Sequence, residues 1–151
     1  MAKVTRKVSA SKRLVVDGSD RLEVGLDVHK KSIHVAVWSR AQERIVGHWV
    51  SPPTGEKLLE QLSAWKGQIQ RVVYEAGPTG FSLARRLGSA GYAVKVVAAG
   101  KTPQPAVDTA KSDRLDSREL AEYSAKGLVH GVAIPEEQEE ADRQLVRLRV
   151  M

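Results

Sequence analysis

The order of apolar runs along the chain is the feature that most restricts its fold. Three short runs with strand character, at 22–28, 32–38 and 44–50, follow one another through short polar connections, which predicts an antiparallel meander. A break at 51–55 then offers Thr54 as the cap of a helix. From Val72 onward strand, helix and strand alternate, a pattern that requires parallel pairing through crossover connections.

This order predicts an α/β protein of the ribonuclease H-like class. Such a chain forms a mixed five-stranded sheet with helices on both faces. Further helices are predicted at about 79–87 and 112–126, and another begins near residue 135. The expected organisation is a basic, flexible tail at 1–20, one folded domain at 21–134 and the start of a connecting helix at 135–151.

Composition restricts the remaining classes. A chain of 151 residues that is 42% hydrophobic can bury a core, so an intrinsically disordered protein is excluded. The absence of cysteine removes disulfides, thiolate metal sites and cysteine nucleophiles. Neither a membrane span nor a secretory signal is present, so we expect no membrane partner and a cytoplasmic location. The net charge of +6, half of it within 1–20, favours a polyanionic partner.

Four carboxylates stand out against this pattern. Asp27 interrupts the first apolar run, and Glu75 closes the fourth. Strand alternation turns Asp27 away from the apolar face of its strand. Asp113 and Asp116 are three residues apart at the start of a predicted helix, so we expect both on one helix face.

A divalent metal ion is the simplest reason for such a set of acids. A buried carboxylate is costly without a positive partner, and four that converge would repel one another. Ligation by carboxylates alone favours Mg²⁺ or Mn²⁺ over zinc, and two such ions about 4 Å apart can activate a nucleophile on a phosphodiester. Each acid taken singly has another explanation: Asp113 at a helix N-terminus, Asp116 in a surface ion pair, Glu75 as an ordinary strand-end acid. Asp27 has the weakest alternative.

Basic residues flank these acids and are candidate contacts to nucleic-acid phosphates. Lys30 and Lys31 follow Asp27, and Arg114 and Arg118 lie beside the second pair of acids. A solvated turn explains the two lysines equally well, and local ion pairs could explain the two arginines.

Three motifs resemble the DEDD transposases of the insertion-sequence 110 family, which includes the pilin-gene invertases. They are GLDVHK at 25–30, YEAGPTG at 74–80 and KSDRLDS at 111–117, within a resemblance that spans roughly 22–149. Ser112 and Ser117 depart from the family, which more often has Thr and Ala there. The resemblance implies a RuvC-like catalytic domain whose metal ligands match Asp27, Glu75, Asp113 and Asp116.

The same resemblance implies partners and a further domain. It implies DNA as the substrate, a structured, guide-like RNA and a homo-oligomer when the protein is full length. Members of the family continue into a second domain with a serine implicated in strand cleavage. This sequence stops inside the connecting helix, so we expect that serine to be missing and the chain alone not to transpose.

Two other classes of function remain open. An actin-like or sugar-kinase-type ATPase also begins with an aspartate on its first strand, but the residues after Asp27 lack the glycine of a phosphate-binding hairpin. A non-catalytic nucleic-acid-binding module of the same fold would bind in a salt-dependent way that is indifferent to Mg²⁺.

Overall fold

An antiparallel hairpin precedes the main sheet. The computed structural model describes residues 3–9, 12–77, 80–98 and 115–134, and the hairpin consists of β1 (Lys3–Ser9) and β2 (Lys12–Asp17). Leu14 and Val16 of β2 are buried in the main core. These two strands lie within the segment 1–20, for which a flexible tail was expected, and the apolar face of β2 packs on the core.

The main sheet has five strands. Its strand order is β5-β4-β3-β6-β7, in which β3, β6 and β7 pair in parallel and β4 is antiparallel to both of its neighbours. Short connections join the antiparallel strands, and helical crossovers join the parallel ones, as sheet geometry requires. The strands are β3 (Leu22–Val28), β4 (Ile33–Ser39), β5 (Arg44–Ser51), β6 (Ile69–Glu75) and β7 (Val94–Val97).

Helices cover both faces of this sheet. On one face α1 (Gly55–Leu62) and α2 (Ser82–Ser89) enclose the larger core, and on the other α3 (Ser117–Ala125) encloses a smaller one. The predicted cap of α1 is confirmed, since the Thr54 hydroxyl accepts a hydrogen bond from the Lys57 amide at 3.2 Å. The strand order and the helices on both faces confirm the ribonuclease H-like class. No helix in the described part of the chain is long and apolar enough to cross a membrane.

The start of α3 differs from the prediction. Asp116 is the N-cap: its carboxylate accepts from the Glu119 amide at 2.8 Å, and the Glu119 carboxylate accepts from the Asp116 amide at 3.1 Å. This capping box satisfies amides that the first turn leaves unpaired, so the helix begins at Ser117 and not near 112. Asp116 precedes the helix and so does not lie on a helix face, contrary to the prediction. Asp113 and the helix predicted from about 135 lie outside the described residues.

Candidate functional site

Gly25 lets α3 lie directly on the central strand. A Cβ atom at this position would stand 2.6 Å from the Ala121 amide nitrogen and closer still to the Ser117 carbonyl oxygen. Both are backbone atoms of α3, so only a glycine permits this approach. The covered face of β3 is the one that carries Glu23, Gly25 and Asp27, as alternation predicts.

Glu23 fixes the direction in which α3 crosses the strand. Its side chain is fully buried, accepts a hydrogen bond from the Ser124 hydroxyl at 2.7 Å, and pairs with the Arg40 guanidinium at 3.0 Å. These partners offset the cost of burying a carboxylate. Because Ser124 lies over Glu23 and Ser117 lies over Gly25, the N-terminus of α3 points towards Asp27.

Glu75 lies next to Asp27 on the neighbouring strand. Leu26 pairs with Tyr74 in the parallel register of β3 and β6, so Asp27 and Glu75 occupy the next position of each strand. Glu75 is only 7% exposed, and its carboxylate accepts a hydrogen bond from the Leu115 amide at 3.1 Å. That bond ties the residue before Asp116 to the end of β6. Three of the four predicted acids therefore lie at one end of the sheet, where β3 and β6 finish.

The chemistry of these acids suits a hard divalent cation, since every donor is a carboxylate. The acids that the structure describes do not form a complete metal site. Within the described ranges, no group of three His, Asp or Glu side chains is spaced to hold an ion. Asp27 contacts His29, with 3.1 Å between Oδ2 and Nε2, and the fourth predicted ligand, Asp113, lies outside those ranges.

Three of the four predicted basic residues are exposed close to the acids in the chain: Lys30 and Lys31 after Asp27, and Arg118 after Asp116. Lys30 and Lys31 are exposed in the turn after Asp27, which is closed by a hydrogen bond of 2.8 Å from the His29 amide to the Ser32 carbonyl. Arg118 is exposed in the first turn of α3. Arg114 lies outside the described residues.

A row of three histidines, which was not predicted from the sequence, extends from the acids to the edge strand β5. The ring centroids of His29 and His34 are 5.4 Å apart, and those of His34 and His48 are 6.2 Å apart. His34 pairs with Asp27 across β3 and β4. Alternation along β4 is the sequence signal that could have placed His34 on the face of the acids.

Electrostatics connect this row to the start of α3. Partial desolvation lowers the pKa of His48, and the positive charge of Arg118 and the neighbouring His34 act in the same direction. Asp116 acts in the opposite direction and raises that pKa. These charges act between elements, because α3 packs against β5 as well as β3 and β4.

A cleft of about 420 Å³ opens at the same end of the sheet, on the face that α1 and α2 cover. His29 and Lys30 belong to its lining, so it adjoins the acids. Arg86 also lines it, but its guanidinium pairs with Glu56 at 3.0 Å, so that positive charge is already compensated.

Comparison with known proteins identifies the family. The sequence model of a protein family, the DEDD transposases of the insertion-sequence 110 family, matches residues 24–151, and the description of that family is transposase. The chain belongs to this transposase family. The resemblance seen in the three sequence motifs is thereby confirmed.

Two curated relatives agree with this transposase assignment. The chain is 34% identical over 130 residues to a protein of Sinorhizobium fredii described as a transposase, y4qE, an alignment that covers 83% of this chain and 33% of the relative. It is 29% identical over 133 residues to the transposase for insertion sequence element IS1533 of Leptospira borgpetersenii, which covers 85% and 38% respectively. The transposase chain thus spans between 33% and 38% of the length of these relatives.

Among solved structures, the transposase chain is similar to T. thermophilus RuvC in complex with Holliday junction substrate. The match has 12% identity and a TM-score of 0.38, and it covers 74% of this chain and 99% of that one. A TM-score this low supports no inference, so the fold assignment rests on the strand order.

Proposed function

We propose that this domain binds Mg²⁺ or Mn²⁺ through Asp27, Glu75, Asp113 and Asp116, and that the full-length protein cuts and rejoins DNA strands with it. The observation that carries the proposal is the adjacent placement of Asp27 and Glu75 on paired parallel strands, with Asp116 tethered beside them through Leu115. Membership of a transposase family supports DNA as the substrate.

Each part of the site has a defined task in this proposal. The Leu115 amide orients the Glu75 carboxylate, and the capping box holds Asp116 at the start of α3. Lys30, Lys31 and Arg118, with Arg114, contact phosphates and hold the strand against the acids. A bound divalent ion would supply positive charge to a phosphodiester oxygen and to its attacking nucleophile.

The proposal extends to the full-length protein. We assign the residues up to 134, including the β2 strand that packs on the core, to the catalytic domain, and propose that the full-length protein has a second domain carrying the strand-cleaving serine. A structured RNA and a second copy of the protein are the proposed partners besides DNA. The family resemblance supports these partners, and the net charge of +6 is consistent with a polyanion.

Calorimetry with Mn²⁺ tests the metal assignment. The double variant Asp27→Asn, Asp116→Asn should bind Mn²⁺ at least about tenfold more weakly than the wild type, since perturbing even the outer partners of metal ligands costs that much. A matched control, Asp17→Asn with Glu60→Gln, removes two negative charges away from the site and should leave binding unchanged. Equal Mn²⁺ affinity for the wild type and the first variant would reject the assignment.

The same experiment separates the alternatives. A non-catalytic nucleic-acid-binding module would show no Mn²⁺ binding at the acids, and its binding to DNA would be indifferent to Mg²⁺. Membership of a transposase family favours recombination over an actin-like ATPase. The turn after Asp27 also has no glycine with which to hold a nucleotide phosphate.

A further inference from the structure

The histidine row, defined as His29, His34 and His48, consists of three neighbouring rings from three segments of the chain. It begins in the turn after Asp27, crosses β4 and reaches β5 at the edge of the sheet. His29 and His48 are exposed, and His34 is half-buried. A set of polar rings that opens to solvent at both ends does not serve mainly as core packing.

The surroundings of the row favour an anionic ligand. α3, whose first turn carries the exposed Arg118, packs against β4 and β5, so a positive group lies on the side of the row's outer end. The Arg118 guanidinium lowers the pKa of His48, whereas the Asp116 carboxylate raises it. Lys30 and Lys31 are exposed at its inner end. A neutral imidazole still donates one N–H hydrogen bond, and a guanidinium donates several in a planar fork that matches a phosphate.

We propose that His34, His48 and Arg118 bind the phosphate backbone of a single DNA strand and lead it to the acids at Asp27. This inference rests on the proposed function and names the path of its substrate. The ring centroids of His34 and His48 lie 6.2 Å apart, so the two side chains can contact neighbouring phosphates of one extended strand. Positive grooves that follow one backbone are the usual means of binding single strands without sequence preference.

Fluorescence anisotropy with a labelled single-stranded DNA tests the path. The 151-residue chain is titrated in the presence of EDTA, so that the result does not depend on metal binding. His48→Gln should weaken binding about fivefold, as expected for the loss of one hydrogen bond. Arg118→Gln should weaken it about tenfold and reduce the slope of log affinity against log salt by about 0.7, the value for one phosphate contact to a single strand.

Matched controls separate this role from general charge and folding. His130→Gln removes an exposed histidine beside β7, at the other side of the sheet from β5. Arg21→Gln removes an exposed arginine at the opposite end of β3 from Asp27. Both controls should bind DNA within twofold of the wild type, and circular dichroism should show all four variants folded.

Three results would overturn the proposal. The first is DNA affinity within twofold of the wild type for both His48→Gln and Arg118→Gln. The second is an equal loss of affinity in the two controls. The third is tighter binding of an RNA strand of the same sequence with the same two variants sensitive, which would assign the path to RNA. Failure of the Mn²⁺ calorimetry would leave these EDTA measurements unaffected, so the two proposals fail independently.

Discussion

Replacing Gly25 by alanine should displace α3 from the sheet. The added methyl carbon would stand 2.6 Å from the Ala121 amide nitrogen, where ordinary contacts begin at 3.4 Å, and closer still to the Ser117 carbonyl oxygen. No side-chain rotation can relieve contacts with two backbone atoms. The helix must therefore move by about 1 Å relative to the strand, because interiors are close-packed and resist such insertions.

This displacement has a calculable cost. Overpacking by one methyl group typically costs about 1–3 kcal/mol, and the backbone partners place Gly25→Ala near the upper end, at about 3 kcal/mol. For a chain of 151 residues, that loss lowers the Tm by roughly 10 °C. The Ser124 hydroxyl would also move away from the Glu23 carboxylate, which it now meets at 2.7 Å.

Urea denaturation followed by tryptophan fluorescence measures this free energy of unfolding. Gly67→Ala is the matched control, because a Cβ atom there would meet nothing within 4 Å. The control should unfold within about 0.5 kcal/mol of the wild type, the usual range for surface substitutions. If Gly25→Ala proved as stable as Gly67→Ala, the close approach of α3 to β3 would be refuted.

Three further predictions concern Ser124 of α3 and the His48 ring of β5. Ser124→Ala should lower the free energy of unfolding by about 1–3 kcal/mol, because the fully buried Glu23 loses its hydroxyl donor. In an NMR titration, His48 should have a pKa below its ordinary value. The folded state then binds this proton more weakly than the unfolded state does, so the free energy of unfolding falls as the pH drops below the ordinary pKa of histidine. Arg118→Gln should raise the pKa of His48, since it removes a nearby positive charge.

Each of these has a contradicting outcome. An unchanged free energy of unfolding in Ser124→Ala would show that the Glu23 carboxylate does not depend on the hydroxyl. Ser63→Ala is its control, because that exposed hydroxyl donates only to the Glu60 carbonyl near the end of α1. An unchanged pKa of His48 in Arg118→Gln would show that the start of α3 does not face β5.

Local sequence rules predicted most of the main sheet. Alternating residues located β3 to within its observed bounds and put Asp27 on the face that α3 covers. The acids at Asp116 and Glu119 have the spacing of a capping box, a signal that the prediction of a shared helix face for Asp113 and Asp116 did not use. The cap prevailed because it satisfies free amides of the first turn.

Features that depend on distant residues were not predictable in this way. The Glu23 carboxylate and the Ser124 hydroxyl are 101 positions apart, and no local pattern links them. From the sequence alone, Gly25 would be expected to weaken its strand. In the structure it leaves the space that the backbone of α3 occupies. Leu14 and Val16 became part of the core for the same reason, because the surface that covers them comes from elsewhere in the chain.

Paramagnetic broadening by Mn²⁺ tests the central claim, that Asp27, Glu75 and Asp116 contribute to one metal site, most directly. In ¹⁵N-labelled protein, substoichiometric Mn²⁺ should first broaden the amide signals near the ends of β3 and β6 and at Leu115 and Asp116. Asp27→Asn should suppress that broadening. Broadening that begins at the acids of α1, or that is unchanged in Asp27→Asn, would contradict the account.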